Sequence, residues 1–219
     1  MNNKIRLPQQ NRGIHTREKL IVAALELFSE KGYHSTNSKE IAARGEVAIG
    51  SFYAYFNDKK ELFIEAYKYY ASLIEKESSF NMNSSGGDES SDVWKTALKD
   101  FSSCGSNRDK IKIIIKNLMK AHNYYPGFIR DITVMRLLDP EIKKVIDDHE
   151  KNDISNLVNL VKSIEGNIRV KDAEVAANII FRTLEVIIHE TQSIPGIPYS
   201  TERIVNEIAD MICRYLFDT

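Results

Sequence analysis

The sequence predicts an all-α chain of about nine helices, with a small N-terminal three-helix domain joined to a larger helical domain. Three observations predict it. Apolar residues recur at three- and four-residue spacing, as in Leu20, Ala24, Leu27 and Phe28. No stretch alternates apolar and polar residues as a half-buried strand would, and there is no internal repeat. Glycine and proline fall between the periodic stretches, at Gly32, Gly45, Pro126, Pro140, Pro195, Gly196 and Pro198.

The first helix is expected over residues 16–31, with Thr16 as its N-cap. Gly32 follows as the C′ residue, where a left-handed backbone costs glycine little. A second short helix starts at Asn37, whose spacing to Glu40 is that of a capping box. Gly45 ends it. A third covers residues 48–56. There Phe52 and Phe56, four apart, turn inwards and Tyr53 turns outwards. The fourth runs over residues 59–76 with the stripe Leu62, Phe63, Ala66, Tyr70 and Leu73. Residues 78–92 are rich in Ser, Asn and Gly and are expected to be a mobile loop. Further helices are expected over 93–101, 109–123, 128–138, 140–164, 172–192 and 201–217.

Composition narrows the classes. The chain has 219 residues, 42% hydrophobic and 28% charged, enough for a sizeable core. No run approaches the roughly 18 apolar residues of a membrane span. Residues 1–12 read as a loose polar arm and not as a secretion signal, so a cytoplasmic location is expected. Cys104 and Cys213, the only cysteines, have no disulfide or zinc spacing. No metal and no cofactor is expected. Residues 1–60 carry ten Lys and Arg against six Asp and Glu, and the remainder carries 20 against 25. A basic N-terminal part on an acidic body points towards a polyanion at one end.

The second and third helices, joined by a tight turn, have helix-turn-helix architecture, which lays the later helix in the DNA major groove. Ile41, Ala42, Val47 and Phe52 can close a small core with Leu25 and Phe28. The outward face of the third helix is Ile49, Gly50, Ser51, Tyr53, Ala54 and Tyr55. Ser51 and the tyrosine hydroxyls can donate to phosphates or base edges, and Gly50 allows close backbone approach. Lys59 can pair with phosphate at the start of the next helix.

From Thr16-Arg17-Glu18, through Ala24-Leu25-Glu26-Leu27-Phe28 and Lys31-Gly32-Tyr33, to Ile41-Ala42, Val47-Ala48-Ile49-Gly50-Ser51-Phe52-Tyr53-Ala54-Tyr55-Phe56 and Asp58-Lys59-Lys60-Glu61-Leu62-Phe63, the chain resembles the tetracycline-repressor (TetR) family. The resemblance implies a helix-turn-helix DNA-binding domain over residues 13–73. It implies a ligand-binding and dimerisation domain over 74–219. By position, Thr36, Asn37, Ser51, Tyr53, Tyr55 and Lys59 match family DNA contacts. The implied function is a transcription regulator, a repressor released from a palindromic operator by a small molecule. Its partners would be double-stranded DNA, a second copy of the chain, and a small apolar or aromatic effector.

One departure stands out. The family has Ala-Gly before the valine of the turn, and this chain has Gly45-Glu46. Glu46 is therefore expected at positive φ, costing about 1 kcal/mol or more, with a carboxylate near DNA phosphates. Ala48 also lacks the side-chain oxygen of a good N-cap.

An effector pocket would draw on Tyr67, Trp94, Phe101, Tyr124, Phe128, Met135 and Phe181, although plain core packing explains each alone equally well. Broad apolar stripes on the last two helices suit an intermolecular four-helix bundle, with Val175, Ile179, Val186, Ile187, Ile204, Val205, Ile208 and Ile212 at the interface. Burial within one copy is the competing explanation.

Enzyme chemistry is not expected. His189-Glu190 has Ser193 where a zinc protease needs its second histidine, and no phosphate loop or nucleophile elbow is present. Asp147-Asp148-His149-Glu150 reads as a solvated face. The alternative to a regulator is a helical protein-interaction module that has lost specific DNA binding.

Overall fold

A computed structural model describes residues 11–78, 106–163, 168–193 and 199–217. The expected loop over 78–92 (beyond Ser78), the helix over 93–101, and Cys104 lie outside the described residues. Those residues form nine helices: α1 Asn11–Lys31, α2 Ser38–Arg44, α3 Ile49–Tyr55, α4 Lys59–Ser78, α5 Asn107–His122, α6 Pro126–Leu138, α7 Pro140–Ser163, α8 Ala173–Ser193 and α9 Thr201–Leu216. Among the described residues the only β-type pairing is an isolated bridge between Ile168 and Phe217. The all-α reading therefore holds. No described helix is long and apolar enough to cross a membrane.

The helix starts carry one correction. α1 begins by Asn11, so Thr16 lies inside the helix and is not its N-cap. The polar stretch before Thr16 contains no breaker except Gly13, and it continues the helix as a solvated turn. The C-terminal reading stands: Gly32 sits at φ +87° and its N–H donates to Phe28 O at 2.9 Å. Pro126 and Pro140 open α6 and α7, where a missing N–H costs nothing.

The chain divides into two compact units, residues 1–72 with 125–145, and residues 73–124 with 146–219. The first has an aromatic core. Phe28 packs against Tyr33, Phe63 and Phe128 with ring centroids 5.5, 5.6 and 6.0 Å away. Phe128 also meets Phe63 and Tyr70 at 5.1 and 5.7 Å. α6 reaches this core because Gly127 lets its backbone touch α1. A Cβ there would stand 1.9 Å from Ser29 O. The Gly127 N–H donates to Ser29 Oγ at 3.1 Å, and Asp131 Oδ2 accepts from Tyr33 N–H at 2.6 Å just past the end of α1.

The second unit has an aliphatic core. Ile111, Ile115 and Met119 of α5, Val161 of α7, Ile180 and Ile188 of α8, and Val205, Ile208, Ala209, Ile212 and Leu216 of α9 bury together. Arg108 pairs with Asp210 at the edge of the α5–α9 contact.

Candidate nucleic-acid interface

The α2–turn–α3 segment is built from local rules. Asn37 Oδ1 accepts the Lys39 and Glu40 N–H groups at 3.0 and 3.1 Å, while Glu40 Oε2 accepts the Asn37 N–H at 3.0 Å. This is the complete reciprocal capping box, with Asn in the place of Ser or Thr. At the other end Glu46 N–H donates to Ala43 O at 3.1 Å and Val47 N–H to Ala42 O at 2.9 Å. That pair of bonds is a Schellman closure, and it requires a left-handed residue at its C′ position. Gly45 holds φ −76°, one residue too early, and Glu46 takes the strained place at φ +55°. The shifted glycine has the consequence expected from the sequence. Glu46 is exposed, with Lys19 Nζ 3.9 Å from its carboxylate.

α3 is held from below. Phe52 and Phe56 are buried, with ring centroids 6.0 Å apart. The Arg17 guanidinium lies 5.4 Å over the Phe56 ring and pairs with Glu65 of α4. Its N-terminus has no side-chain cap at Ala48. The opposite face is open: Tyr53 is 53% exposed, Ile49 39%, and Gly50 and Ala54 are also exposed. Ser51 and Tyr55 are partly exposed. A Cβ on Gly50 would meet nothing within 4 Å, so the fold itself does not require glycine there.

Two expected contact residues are placed differently. Thr36 is 2% exposed and its hydroxyl donates to Gly32 O at 2.8 Å. Its side chain serves the α1–α2 loop and has no free face for a duplex. Lys59 turns its ammonium to Tyr33 O and Thr36 O, both at 2.7 Å, and sits 4.2 Å from the Tyr33 ring centroid. Burial holds its pKa below the ordinary lysine range. Lys59 is thus first a clamp on the α1–α2 loop, with one of three N–H donors left for a phosphate. Asn37 is exposed beside it.

The sequence missed Asp131 and Gly127, which bring α6 onto α1. Their partners lie 98 residues away in the chain, and no local pattern signals them.

The expected pocket residues divide between the units. Tyr67, Phe128 and Met135 are buried in the first. Phe128 is the ring that Phe28, Phe63 and Tyr70 surround. Tyr124, 44% exposed, and the partly buried Phe181 belong to the second unit. Trp94 and Phe101 lie outside the described residues. The expected dimer residues divide as well. Val205, Ile208 and Ile212 are core of the second unit against α5, and Ile187 and Ile204 pack at its edge. Only Val175, Ile179 and Val186 of α8 present an open apolar face, 53, 49 and 58% exposed.

The pattern of the tetR family of bacterial regulatory proteins matches residues 20–66, the stretch that contains the capping box, the turn and α3. Over this stretch the chain carries a TetR-type N-terminal domain. It is 46% identical over 55 residues to the uncharacterized HTH-type transcriptional regulator YuxN of Bacillus subtilis, covering 25% of this chain and 19% of that one. With YxaF of the same organism, likewise an uncharacterized HTH-type transcriptional regulator, it shares 34% over 108 residues, 48% and 54% of the two chains. The matched stretches thus span from about a fifth to about half of these relatives. A Mesorhizobium loti structure assigned to the TetR family superposes with a TM-score of 0.74 at 17% identity, covering 95% of this chain and all of that one. At that identity the likeness establishes the TetR-type fold alone.

Proposed function

We propose that this chain is a TetR-family DNA-binding transcription regulator. It acts as a homodimeric repressor that leaves a palindromic operator when a small apolar or aromatic effector binds. Residues 13–73 carry the reading head, and residues 74–219 carry the effector site and dimer contacts. The observation that carries this reading is the two-sided α3. Phe52 and Phe56 fix one face, and Ile49, Gly50, Ser51, Tyr53 and Tyr55 stand exposed or partly exposed outside it. In this reading the exposed Asn37 and the third donor of Lys59 add phosphate contacts. The open α8 face of Val175, Ile179 and Val186 is available to a second copy. Two heads would meet half-sites about 34–36 Å apart.

One observation favours a protein-interaction module instead: α3 carries no charged residue, and the exposed Glu46 carboxylate lies in its turn. Titration of labelled DNA from upstream of the chain's own gene separates the two. The regulator reading expects saturable, sequence-selective binding whose log affinity falls linearly with log salt. Equal, weak binding to scrambled DNA would reject it.

A further inference from the structure

The polar run Asp147 to Glu150 reads from sequence as a solvated face, yet in the second unit His149 is turned against two carboxylates. Its Nε2 lies 3.5 Å from Asp153 Oδ2, one turn along α7, and 3.9 Å from Glu75 Oε1 in the last turn of α4. The three atoms all lie within 4.8 Å of one another. The side chains are half-buried, with 29, 22 and 40% of His149, Asp153 and Glu75 exposed. Glu150 points elsewhere, to Arg182 at 2.9 Å.

We infer that Glu75, His149 and Asp153 form a binding site for one divalent transition-metal ion of the Zn2+ or Mn2+ class. The donor set selects the class. An imidazole nitrogen with two carboxylate oxygens suits borderline first-row ions, whereas Ca2+ and Mg2+ take oxygen ligands. The geometry is nearly in place. Ligands about 2.1 Å from a tetrahedral ion stand about 3.4 Å apart. The His149–Asp153 pair already has that spacing, set by their i,i+4 positions on one helix face. Glu75, 3.9 Å from His149 and no more than 4.8 Å from Asp153, closes to it by a side-chain shift on the order of an ångström. Three protein ligands leave a coordination position for water or a small molecule.

Electrostatics point the same way. Glu75 and Asp153 set two carboxylates against one imidazole, while the nearby Glu150 is paired with Arg182. A doubly charged ion balances the two carboxylates of Glu75 and Asp153. The site depends in no way on the DNA-binding reading.

The test uses the full chain, stripped with a chelator and dialysed. Co2+ is titrated in while visible absorption is followed, and Zn2+ and Mn2+ binding is measured by calorimetry at neutral pH. The site predicts one ion per chain, a Co2+ ligand-field band that Zn2+ abolishes, and loss of affinity by about tenfold or more in His149→Ala. Glu75→Gln weakens binding likewise, and serves if His149→Ala does not fold by thermal melting. His189→Ala leaves binding unchanged. No saturable binding at submillimolar ion, or binding that survives both His149→Ala and Glu75→Gln, would overturn the inference.

Discussion

The two units bury different chemistry. The first closes on rings: Phe28, Phe52, Phe56, Phe63 and Phe128 are all almost fully buried. Among the described residues the second closes on Ile111, Ile115, Ile180, Ile208 and Ile212, with no ring among the buried members of that cluster. A ring core is made of few large pieces with preferred edge and tilt geometries, so it fixes the direction of the elements around it. An aliphatic core is made of many small pieces and accepts volume-conserving exchange. The contrast suits a unit that must aim one short helix, beside a unit built from long helices.

The largest expected effect breaks the first core. Phe28→Ala removes a ring shared by three aromatic neighbours and should cost about 3–5 kcal/mol in urea unfolding. A loss under about 1 kcal/mol would mean that the ring cluster does not carry that unit. The second effect belongs to the second unit, which hides imidazoles. Burial pushes the His122 pKa down to about 4, with Nδ1 donating to Leu118 O at 2.8 Å, and burial also lowers His189. Unfolded His122 takes its proton near pH 6.5. Its neutral form therefore supports the fold fully above that pH, and the support is lost as pH falls towards 4, by up to about 3 kcal/mol. Urea titrations from pH 7.5 to 5 should show this loss, and His122→Phe should flatten it. An unchanged slope in that variant contradicts the assignment.

Smaller changes sharpen the contrast. Ile212→Val in the aliphatic core should cost about 0.5–1.5 kcal/mol by the same unfolding measurement. A cost matching that of Phe28→Ala would erase the distinction between the cores. Smallest of all, Glu46→Gly relieves a left-handed residue but adds unfolded-state freedom. A net gain on the order of 0.5 kcal/mol is expected. Removal of an exposed carboxylate beside α3 should also tighten DNA binding, read by the same salt-controlled titration. A loss of stability would show that the strain at φ +55° is smaller than the unfolded-state cost of glycine.

What was legible in the sequence was local. The Asn37–Glu40 spacing, Gly32 after α1, and the inward Phe52 and Phe56 against outward Tyr53 are set within a few residues by capping and helical periodicity. The turn strain at Glu46 was legible for the same reason. What depended on distant partners was not. Periodicity shows that Val205, Ile208 and Ile212 share an apolar face, but not that α5 of the same chain covers it. Nor does it show that Thr36 and Lys59 spend their polar atoms on the α1–α2 loop, or that Glu75 comes to His149.

The account rests on α3 reading a duplex with its open face, and Tyr53 tests that most directly. Tyr53 is exposed, so Tyr53→Ala should leave the unfolding midpoint within about 0.5 kcal/mol of the parent. Fluorescence anisotropy on operator DNA should show specific affinity falling by about tenfold or more, with non-specific binding little changed. Undiminished sequence-selective binding by Tyr53→Ala, together with a large loss of stability, would contradict the account: the ring would then be holding the fold and not meeting DNA.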